Sequence, residues 1–497
     1  MQNILAIDQG TTGSTALIFN EQLHIIGRGY EEFPQIFPKP GWVEHRLDDI
    51  WTSVENAIKK ALINAGFKTD TTAPIDVIGI TNQRETIGIF SAHTMKPIHN
   101  AIVWQCRRTT EFCETLKQQG KENIITQKTG LLLDPYFSAS KIHWLIKNIP
   151  SVKDGLQNGT LRMGTVDTFL LNKLTSGLSH YTDVSNASRT SLMNLDSLQW
   201  DDELLDIFYI PKQVKNGFPS IVSSSEIFGK TKNIPFLKDG IPIGSLIGDQ
   251  QSALFGQFAF EPLQAKCTYG TGAFLVVNTG AQKIFSQSKL LTTIAWKYKN
   301  QTFYALEGSV FIAGAVVQWL RDGLKIIESS KEIEALANTV SDTDGVIFVP
   351  AFTGLGAPHW NPHIRASIHG LTRGTSREHI ARAALEGIAL QCADLMEGFE
   401  KDLQKPLSSL KVDGGAAANN LLMQMQADFS NVRLLRPKNV ETTAKGSAML
   451  AGLAVGIFEN LDSLKKLEDV EKEFLPKISF EKRAEKIKQW KNVVSVL

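Results

Sequence analysis

Two short segments of the chain place glycine and threonine between apolar runs that favour β-strands. The first is Gly10–Gly13, within ILAIDQGTTGSTALIF from Ile4 to Phe19; the second is Gly270–Gly272, within KCTYGTGAFLVVN from Lys266 to Asn278. Glycine lets successive backbone N–H groups turn toward one anion, and threonine hydroxyls add donors. Both segments are predicted to be phosphate-binding hairpins, with an ordinary surface turn as the alternative for the first. Their likeness indicates a duplicated chain.

A nucleotide tail with its magnesium ion is the ligand that these hairpins favour. Asp8 ends the first apolar run, and its carboxylate is the kind of oxygen ligand that Mg²⁺ prefers. The Gly-Lys-Thr triplet at 229–231 has Ser224 where a Walker motif needs glycine, and Gly354-Leu355-Gly356 does not continue as GxGxxG. A P-loop and a Rossmann dinucleotide site are therefore not expected.

Length and composition indicate a two-domain protein with a small-molecule function. At 497 residues the chain exceeds one ordinary core, so domains 1–252 and 253–497 are predicted. A net charge of +1 gives no electrostatic footprint for nucleic acid or an anionic membrane, and no run approaches the roughly 20 apolar residues of a membrane span. The start of the chain has no signal-peptide pattern, and the four cysteines form no CxxC pair, so we expect a reducing, cytoplasmic setting.

Strand and helix patterns alternate along the chain, which is typical of an α/β fold. The predicted helices are Asp48–Ala65, Phe311–Leu320, Ser376–Leu403 and Phe480–Val494, and the predicted strands include Val77–Thr81, Gly345–Pro350 and Leu410–Asp413. Connections are short and free of low-complexity linkers. We therefore expect two lobes with a cleft between them and hinged closure.

Several further motifs accompany the two hairpins in a fixed order. They are Gly41–His45 (GWVEH), Gly79–Thr86 (GITNQRET), Ala101–Arg108 (AIVWQCRR), Asp134–Ser138 (DPYFS), Gly248–Gln251 (GDQQ), Phe352–Pro358 (FTGLGAP) and Val412–Gly415 (VDGG). The set resembles the FGGY carbohydrate kinases of the actin-like ATPase superfamily, over nearly the whole chain. The resemblance implies two actin-like (ribonuclease H-like) domains, each with a mixed β-sheet flanked by helices, around an interdomain cleft.

The resemblance also implies a reaction, in which ATP with Mg²⁺ phosphorylates a polyol. The motifs match best the members that convert glycerol to sn-glycerol 3-phosphate, and the matching substrate positions are Arg84, Glu85, Trp104, Tyr136, Asp249, Gln250 and Phe274. A guanidinium donates and a carboxylate accepts hydrogen bonds, so Arg84 and Glu85 suit adjacent hydroxyls. Neighbours on a regular strand face opposite sides, so the strand must end or bend at Gln83.

Asp249 is the residue that the resemblance assigns as general base, because the acceptor hydroxyl must lose its proton as the phosphoryl group moves. Its local sequence, GDQQSALFGQ, is equally typical of a helix N-cap. Both roles remain open at this stage.

Nucleotide contacts follow from the resemblance in the same way. The matching positions are Thr11, Thr12, Gly13, Thr271, Gly314, Gln318, Gly415 and Asn419, with Asp8 holding Mg²⁺ through water. Glycine at 414 and 415 lets a flat base approach the backbone, although a plain strand-to-helix turn would use it too. Gly13 and Thr15 depart from the serine and arginine that are frequent in the family. The family usually forms dimers or tetramers, so a homo-oligomer is expected.

Two other functions are compatible with the motifs. The chain could phosphorylate a different polyol or keto-sugar, such as xylulose, although the Arg84-Glu85 pair with Trp104 favours glycerol. It could also be a non-catalytic actin-like ATPase that uses nucleotide to switch assembly or partner binding.

Overall fold

The computed structural model describes residues 2–361 and 363–497. The strands are β1 Asn3–Gln9, β2 Gly13–Asn20, β3 Ile25–Glu32, β4 Glu44–His45, β5 Val77–Asn82, β6 Ile87–Ser91, β7 Pro97–Ile102, β8 Leu161–Thr165, β9 Tyr181–Asp183, β10 Met193–Asn194, β11 Gln199–Trp200, β12 Ser220–Val222, β13 Ser225–Lys230, β14 Pro242–Gly248, β15 Gln264–Tyr269, β16 Ala273–Gly280, β17 Leu291–Tyr298, β18 Gln301–Val310, β19 Ile347–Val349, β20 Ser367–His369, β21 Ser409–Asp413, β22 Leu434–Pro437 and β23 Val470–Phe474.

The α-helices alternate with these strands along most of the chain. They are α1 Leu47–Asn64, α2 Thr110–Gln118, α3 Glu122–Thr129, α4 Ser138–Asn148, α5 Pro150–Gln157, α6 Val166–Leu174, α7 Val184–Ala187, α8 Asp202–Ile207, α9 Asp249–Gly256, α10 Gly314–Asp322, α11 Glu332–Ala337, α12 Arg377–Leu403, α13 Asn420–Ser430, α14 Thr442–Val455, α15 Leu461–Lys465 and α16 Phe480–Ser495. Short 3₁₀ turns cover Lys212–Gly217 and Gly415–Ala418.

The chain folds into two compact units that are interleaved in sequence. Unit 1 comprises Met1–Phe258, Thr292–Tyr304 and Thr442–Leu467, and unit 2 comprises Ala259–Leu291, Ala305–Glu441 and Glu468–Leu497. A single cut after residue 252 would place Thr292–Tyr304 and Thr442–Leu467 with the second domain, whereas both pack within unit 1. The sequence boundary at 252 stays a prediction, and the compact units do not follow one cut.

Unit 1 is built on a mixed sheet with the strand order β17-β13-β14-β5-β1-β2-β3. β1 runs antiparallel to β2 and parallel to β5, which in turn is parallel to β14. A second sheet has the order β4-β7-β6-β8. Because β1, β5 and β14 are parallel, their carboxyl ends lie at one edge of the sheet, where the segments after Gln9, Asn82 and Gly248 begin.

Helix α14 explains why a late segment of the chain belongs to unit 1. Its sequence, TTAKGSAMLAGLAV, consists mostly of small residues, and the residues from Ala444 to Leu453 are buried. A Cβ on Gly446 would collide with the carbonyl oxygen of Ser252 on α9, and the Ser252 hydroxyl donates to the Thr443 carbonyl at 2.6 Å. Glycine thus permits backbone contact between α14 and α9, the helix that begins at Asp249.

The strands that lie in unit 2, wholly or, for β18, in part, pair in the order β23-β22-β21-β15-β16-β18. The core of unit 2 gathers around α12, which is buried along most of its 27 residues and includes Cys392. The N-terminus of α12 is closed by a capping box between Ser376 and His379. The four cysteines of the chain are all buried and free.

Most predicted elements are confirmed to within two residues, among them α1, β5, α12, β21 and α16. The predicted start of the helix at Phe311 is wrong, because β18 runs to Val310 and α10 begins only at Gly314. Within residues 2–361 and 363–497, no helix combines the length and the apolar character that crossing a bilayer requires.

Candidate functional site

The first glycine- and threonine-rich segment is a tight hairpin between β1 and β2, as predicted. The last strand pair is Gln9 with Ser14, and the Gly10 N–H donates to the Gly13 carbonyl at 2.9 Å. Thr12 is exposed at the apex. The loop therefore presents backbone and hydroxyl groups at the carboxyl edge of β1.

Side chains from other parts of unit 1 hold this hairpin in place. Gln35 Nε2 donates to the Thr11 carbonyl at 3.0 Å, and Trp104 Nε1 donates to the Thr11 hydroxyl at 2.9 Å. The Phe33 N–H donates to the Thr12 carbonyl at 3.3 Å. The indole that was expected only to line the polyol site thus also contacts the first hairpin.

The chain turns sharply directly after β5, at the predicted substrate pair. β5 ends at Asn82, Glu85 adopts a left-handed φ of 60°, and the Thr86 N–H donates to the Arg84 carbonyl at 2.7 Å. Because the strand has ended, the two side chains need not face opposite sides, and Arg84 Nε lies 4.0 Å from Glu85 Oε1. The strand thus ends before Arg84 and Glu85, as predicted.

Asp249 joins this turn from the end of β14. Its Oδ1 lies 3.1 Å from Arg84 Nε and accepts from the Gln250 N–H at 2.7 Å. The N-cap position of α9 is taken by Gly248, and Asp249 is the first helical residue, so the N-cap alternative is wrong. Its side chain is 31% exposed, compared with 2% for Arg84, so Asp249 is the accessible carboxylate of the pair.

Glu85 has a second cationic partner that sequence reasoning did not identify. Arg189 is fully buried, and its Nε lies 2.6 Å from Glu85 Oε1. The same guanidinium lies over the Tyr136 ring, 5.7 Å from its centroid. Arg189 therefore fixes Glu85 and supports Tyr136 from one position.

The segment that carries Tyr136 is anchored by a buried lysine on α4. Lys141 Nζ donates to the carbonyls of Pro135, Tyr136 and Phe137 at 2.5, 2.6 and 3.1 Å. Burial lowers the pKa of Lys141 to about 8, and the nearby carboxylate of Glu85 opposes that shift. The Tyr136 ring packs edge-on against Trp104 with centroids 5.5 Å apart.

The second hairpin, in unit 2, joins β15 to β16, again as predicted. The last strand pair is Tyr269 with Ala273, and the Gly270 N–H donates to the Gly272 carbonyl at 2.8 Å. Thr271 is exposed at the apex. Its carbonyl accepts from the N–H groups of Ala313 and Ala315 at 2.8 and 3.1 Å.

Gly314 begins α10 directly against this hairpin. Its N–H donates to the Gly270 carbonyl at 2.9 Å, and a Cβ at 314 would lie 2.6 Å from the same oxygen. The N–H is therefore engaged within the protein, and glycine is required by packing. Gln318 lies exposed one turn later on α10, and Phe274 is half-buried on β16.

The predicted adenosine contacts lie where β21 passes into α13. Gly414 has a φ of 86°, and a Cβ there would lie 2.5 Å from the Tyr269 carbonyl oxygen, so this glycine serves the turn itself. At Gly415, which is exposed, an added Cβ would meet nothing within 4 Å. Asn419 caps α13, since its side chain accepts from the Leu422 N–H at 2.9 Å.

Asp8 lies near the end of β1, beside the first hairpin, and is partly exposed. In the part of the chain that the structure describes, no group of three or more His, Cys, Asp or Glu side chains is arranged to hold a metal ion. A carboxylate in this position fits an ion that keeps most of its water and binds chiefly to phosphate, which is how Mg²⁺ behaves. The magnesium contact of Asp8 stays a prediction.

Comparison with known proteins decides the family. The N-terminal domain of the FGGY family of carbohydrate kinases matches residues 3–256, and its C-terminal domain matches residues 265–455. The chain belongs to the FGGY family of carbohydrate kinases. The family resemblance inferred from the motifs is thereby confirmed.

Relatives of this FGGY kinase extend over its full length. It is 54% identical over 488 residues to the glycerol kinase of Bdellovibrio bacteriovorus, covering 98% of this chain and 97% of the relative. The crystal structure of Plasmodium falciparum glycerol kinase with ADP is 40% identical, covers 100% of this chain and 98% of that chain, and has a TM-score of 0.94. A xylulose kinase from Lactobacillus acidophilus has a TM-score of 0.87 at 23% identity, covering 100% and 98%, and shares the fold.

A buried polar network lies beneath the Asp249 segment of this FGGY kinase. Ser185 Oγ accepts from the Gly248 N–H at 2.9 Å and donates to Asp183, which also caps α7. Asp167 lies close by and accepts hydrogen bonds from the hydroxyls of Thr165 and Thr182 at 2.6 and 2.8 Å. Burial, with the nearby Asp183 charge, raises the pKa of Asp167 to about 7.

The sequence did not identify the buried residues that hold the candidate site residues in place. Arg189 and Lys141 belong to no quoted motif: Arg189 pairs with Glu85, 104 residues away, and Lys141 donates to backbone carbonyls. Asp183 belongs to none either, although it caps α7 through the nearby Ser185 and Asn186. One signal existed for Lys141, because it is a lysine among the buried residues of α4, a place that charged side chains seldom occupy without partners.

Proposed function

We propose that this FGGY kinase transfers the γ-phosphoryl group of ATP to glycerol and forms sn-glycerol 3-phosphate, as a step in glycerol catabolism. The observation that carries the proposal is the convergence of Arg84, Glu85 and Asp249 at the turn after β5. One guanidinium and two carboxylates match the hydroxyls of a small polyol. The glycerol kinases to which the chain is similar over nearly its full length support this substrate.

Asp249 acts as the general base in the proposed mechanism. Arg84 and the Gln250 N–H fix its Oδ1, and the side chain remains 31% exposed, so it can meet an incoming hydroxyl. As the γ-phosphoryl group moves in line toward the glycerol oxygen, the carboxylate accepts the hydroxyl proton. Arg84 keeps the carboxylate oriented before the transfer.

The remaining candidate residues bind substrate and nucleotide in this proposal. Trp104, Tyr136, Gln250 and Phe274 contact the polyol; Thr11, Thr12, Gly13, Thr271, Gly314 and Gln318 contact the phosphates; Gly415 and Asn419 contact adenosine. The N–H of Gly314 already binds Gly270, so its contact with nucleotide is through its bare Cα surface. Asp8 would hold Mg²⁺ through water, and the ion supplies charge neutralisation of the phosphates.

Substrate-dependent ADP formation is the experiment that tests the function. We expect release of ADP to depend on glycerol and to be much slower with xylulose or other pentuloses at the same concentration. Faster turnover with a pentulose would contradict the choice of glycerol. Slow ATP hydrolysis that no polyol stimulates would favour an actin-like ATPase switch.

The role of Asp249 is tested separately by Asp249→Asn. We expect turnover to fall by roughly a hundredfold or more while glycerol binding changes little, because the amide retains shape but cannot accept the proton. Asp154→Asn, at an exposed position on α5, is the matched control. Near-normal turnover of the Asp249 variant would remove this residue from the role of base.

Assembly and location complete the proposal. We propose a homodimer or homotetramer in the cytoplasm without nucleic-acid or integral membrane partners, on the basis of the family resemblance and the charge balance of the chain. Light scattering of the purified protein tests the assembly, and a monomer at micromolar concentration would contradict it.

A further inference from the structure

The motif Gly41–His45 contributes no residue to the proposed catalytic and binding set, yet it ends in a buried imidazole beside the first hairpin. His45 is 0% exposed and lies edge-on to Phe33, with ring centroids 5.0 Å apart. Its two ring nitrogens face two glutamine side chains. His45 Nε2 lies 2.7 Å from Gln35 Oε1, and His45 Nδ1 lies 3.4 Å from Gln83 Nε2.

Backbone carbonyls fix the orientation of both glutamine amides. Gln35 Nε2 donates to the carbonyls of Thr11 and Phe33, which can only accept, so Gln35 Oε1 is the atom that faces His45. Gln83 Nε2 donates to Gln9 Oε1 at 3.0 Å and to the Gly10 carbonyl at 3.2 Å, so it is the NH₂ group that faces the other ring nitrogen. Each amide therefore has one orientation that satisfies its partners.

These orientations determine the tautomer of the imidazole. An acceptor faces Nε2, which must carry the proton, and a donor faces Nδ1, which must be unprotonated. Burial lowers the pKa of His45 to about 4, so the ring is neutral under ordinary conditions. The imidazole thus donates from Nε2 to Gln35 at 2.7 Å, while its Nδ1 faces the Gln83 NH₂ group at 3.4 Å, the longest of the three contacts of that group.

The hydrogen bonds close into a ring that includes both candidate sites of unit 1. Gln83 Oε1 accepts from the Thr86 hydroxyl at 2.8 Å, and that hydroxyl accepts from the Trp104 N–H at 3.3 Å. Trp104 Nε1 then donates to the Thr11 hydroxyl, whose own carbonyl accepts from Gln35. Gln83 and Thr86 flank the Arg84-Glu85 pair, so the ring joins the polyol turn to the apex of the hairpin.

We propose that His45 is a positioning residue, which as the neutral Nε2–H imidazole holds the first hairpin in register with the Arg84-Glu85 turn. That the hairpin binds nucleotide and the turn binds a polyol rests on the proposed function, whereas the tautomer of His45 does not. The turn has additional supports in Arg189 and Asp249, whereas the side-chain hydrogen bonds to Thr11 in the hairpin come from Gln35 and Trp104. Loss of His45 therefore affects the nucleotide more than the polyol.

Histidine ring ¹⁵N NMR tests the tautomer without any reference to activity. In the full-length protein, the signal that disappears in His45→Gln identifies His45. We expect a neutral ring with the proton on Nε2 at pH 6 and at pH 7. A proton on Nδ1, or an imidazolium at pH 6, would overturn the proposal even if glycerol kinase activity is found.

Steady-state kinetics test the positioning role. In His45→Phe we expect KM for ATP to rise about tenfold, which corresponds to the loss of about one net hydrogen bond, while KM for glycerol stays within about threefold. In His45→Gln the side-chain amide can still donate to Gln35, so we expect it to recover most of the ATP KM. Equal changes in both KM values, or no rescue by glutamine, would overturn the role.

His180→Phe is the matched control. His180 is another largely buried histidine of unit 1, whose pKa burial also lowers to about 4, and it lies edge-on to Phe90. Its Nε2 contacts the Gly217 carbonyl at 3.1 Å, away from the hairpin. We expect this variant to lose stability without a selective rise in KM for ATP; the same KM pattern in both variants would overturn the proposal. If the unmodified protein phosphorylates no polyol, the proposed function fails while the tautomer test still stands.

Discussion

The two units hold their glycine- and threonine-rich hairpins by different means. In unit 1, the Thr11 carbonyl and hydroxyl are bound by the side chains of Gln35 and Trp104. In unit 2, the Thr271 carbonyl is bound by the backbone N–H groups of Ala313 and Ala315 at the start of α10. Removal of a supporting side chain should therefore destabilise the hairpin of unit 1, whereas addition of a side-chain atom should destabilise the hairpin of unit 2.

The same contrast extends to the groups around the hairpins. Glu85 depends on the buried guanidinium of Arg189, and the Tyr136 segment depends on the ammonium group of Lys141. In unit 2, Gly314 and Gly414 fit against backbone carbonyls. Because ionisable side chains titrate and backbone groups do not, unit 1 should respond to pH more than unit 2.

Arg189→Leu should destabilise unit 1 more than any other substitution proposed here. Removal of one partner of a buried ion pair leaves the other charge poorly compensated, so we expect a loss of about 3 kcal/mol or more in the free energy of unfolding. KM for glycerol should rise at least about tenfold, because Glu85 is no longer fixed. Denaturant unfolding and the ADP-release assay measure the two effects.

The double variant Arg189→Leu, Glu85→Leu separates stability from binding. With both charges removed, we expect most of the lost stability to return while glycerol binding stays weak. If the double variant is no more stable than Arg189→Leu, the pair is not the support that the structure indicates.

Gly272→Ala tests unit 2 by adding a Cβ atom, whereas Arg189→Leu tests unit 1 by removing a charged group. A Cβ at 272 would lie 2.5 Å from the Val310 carbonyl oxygen and 2.9 Å from that of Phe311, so we expect a loss of about 2 kcal/mol on thermal or denaturant unfolding. Gly13→Ala is the matched change in unit 1. There the Cβ would meet the end of the Tyr30 ring at 2.6 Å, and Tyr30 is 43% exposed and can move aside. A loss below about 0.5 kcal/mol is expected, and equal losses at the two sites would contradict the comparison.

Local patterns were sufficient to predict the hairpins and the α/β class. Glycine in a tight turn and apolar residues at strand or helix spacing are properties of neighbouring residues, and β5, α12 and both hairpins follow from them. The Arg84-Glu85 turn could be stated as a condition on the strand, because the alternation of side chains along a strand is fixed by geometry.

Supports from distant parts of the chain could not be predicted. Arg189 meets Glu85 across 104 residues of sequence, and α14 returns to unit 1 after the whole of β15–β22. Nothing in the sequence around Arg189 or α14 indicates which surface either will meet. The packing role of Gly314 could not be predicted for the same reason, because it depends on the Gly270 carbonyl in the hairpin between β15 and β16.

Asp167→Asn should reveal the pH dependence of unit 1. The pKa of this carboxyl group is raised from 3.8 to about 7 in the folded protein, so the folded state binds the proton more tightly than the unfolded state. Its contribution to stability is complete below pH 3.8 and is lost as the pH rises to about 7. Relative to the unmodified protein, the variant should therefore gain about 1–2 kcal/mol between pH 5 and pH 7, as measured by urea unfolding. Asp154→Asn should show no such change, and a pH-independent difference for Asp167→Asn would contradict the prediction.

Gly415→Ala should have the smallest effect and is the sharpest test of the predicted nucleotide contacts in unit 2. An added Cβ meets no protein atom within 4 Å, so stability should be unchanged or slightly higher. Gly414→Ala, one residue earlier, should destabilise the protein without any nucleotide, because its φ is 86° and its Cβ would meet the Tyr269 backbone.

If adenosine lies against residue 415, the new methyl group of Gly415→Ala displaces it. We then expect the dissociation constant for ADP to rise about three- to tenfold in calorimetry, or about 1 kcal/mol. Unchanged ADP affinity in a fully stable Gly415→Ala protein would remove this residue from the adenosine contacts, and the exposed surface after β21 would then need another explanation than nucleotide binding.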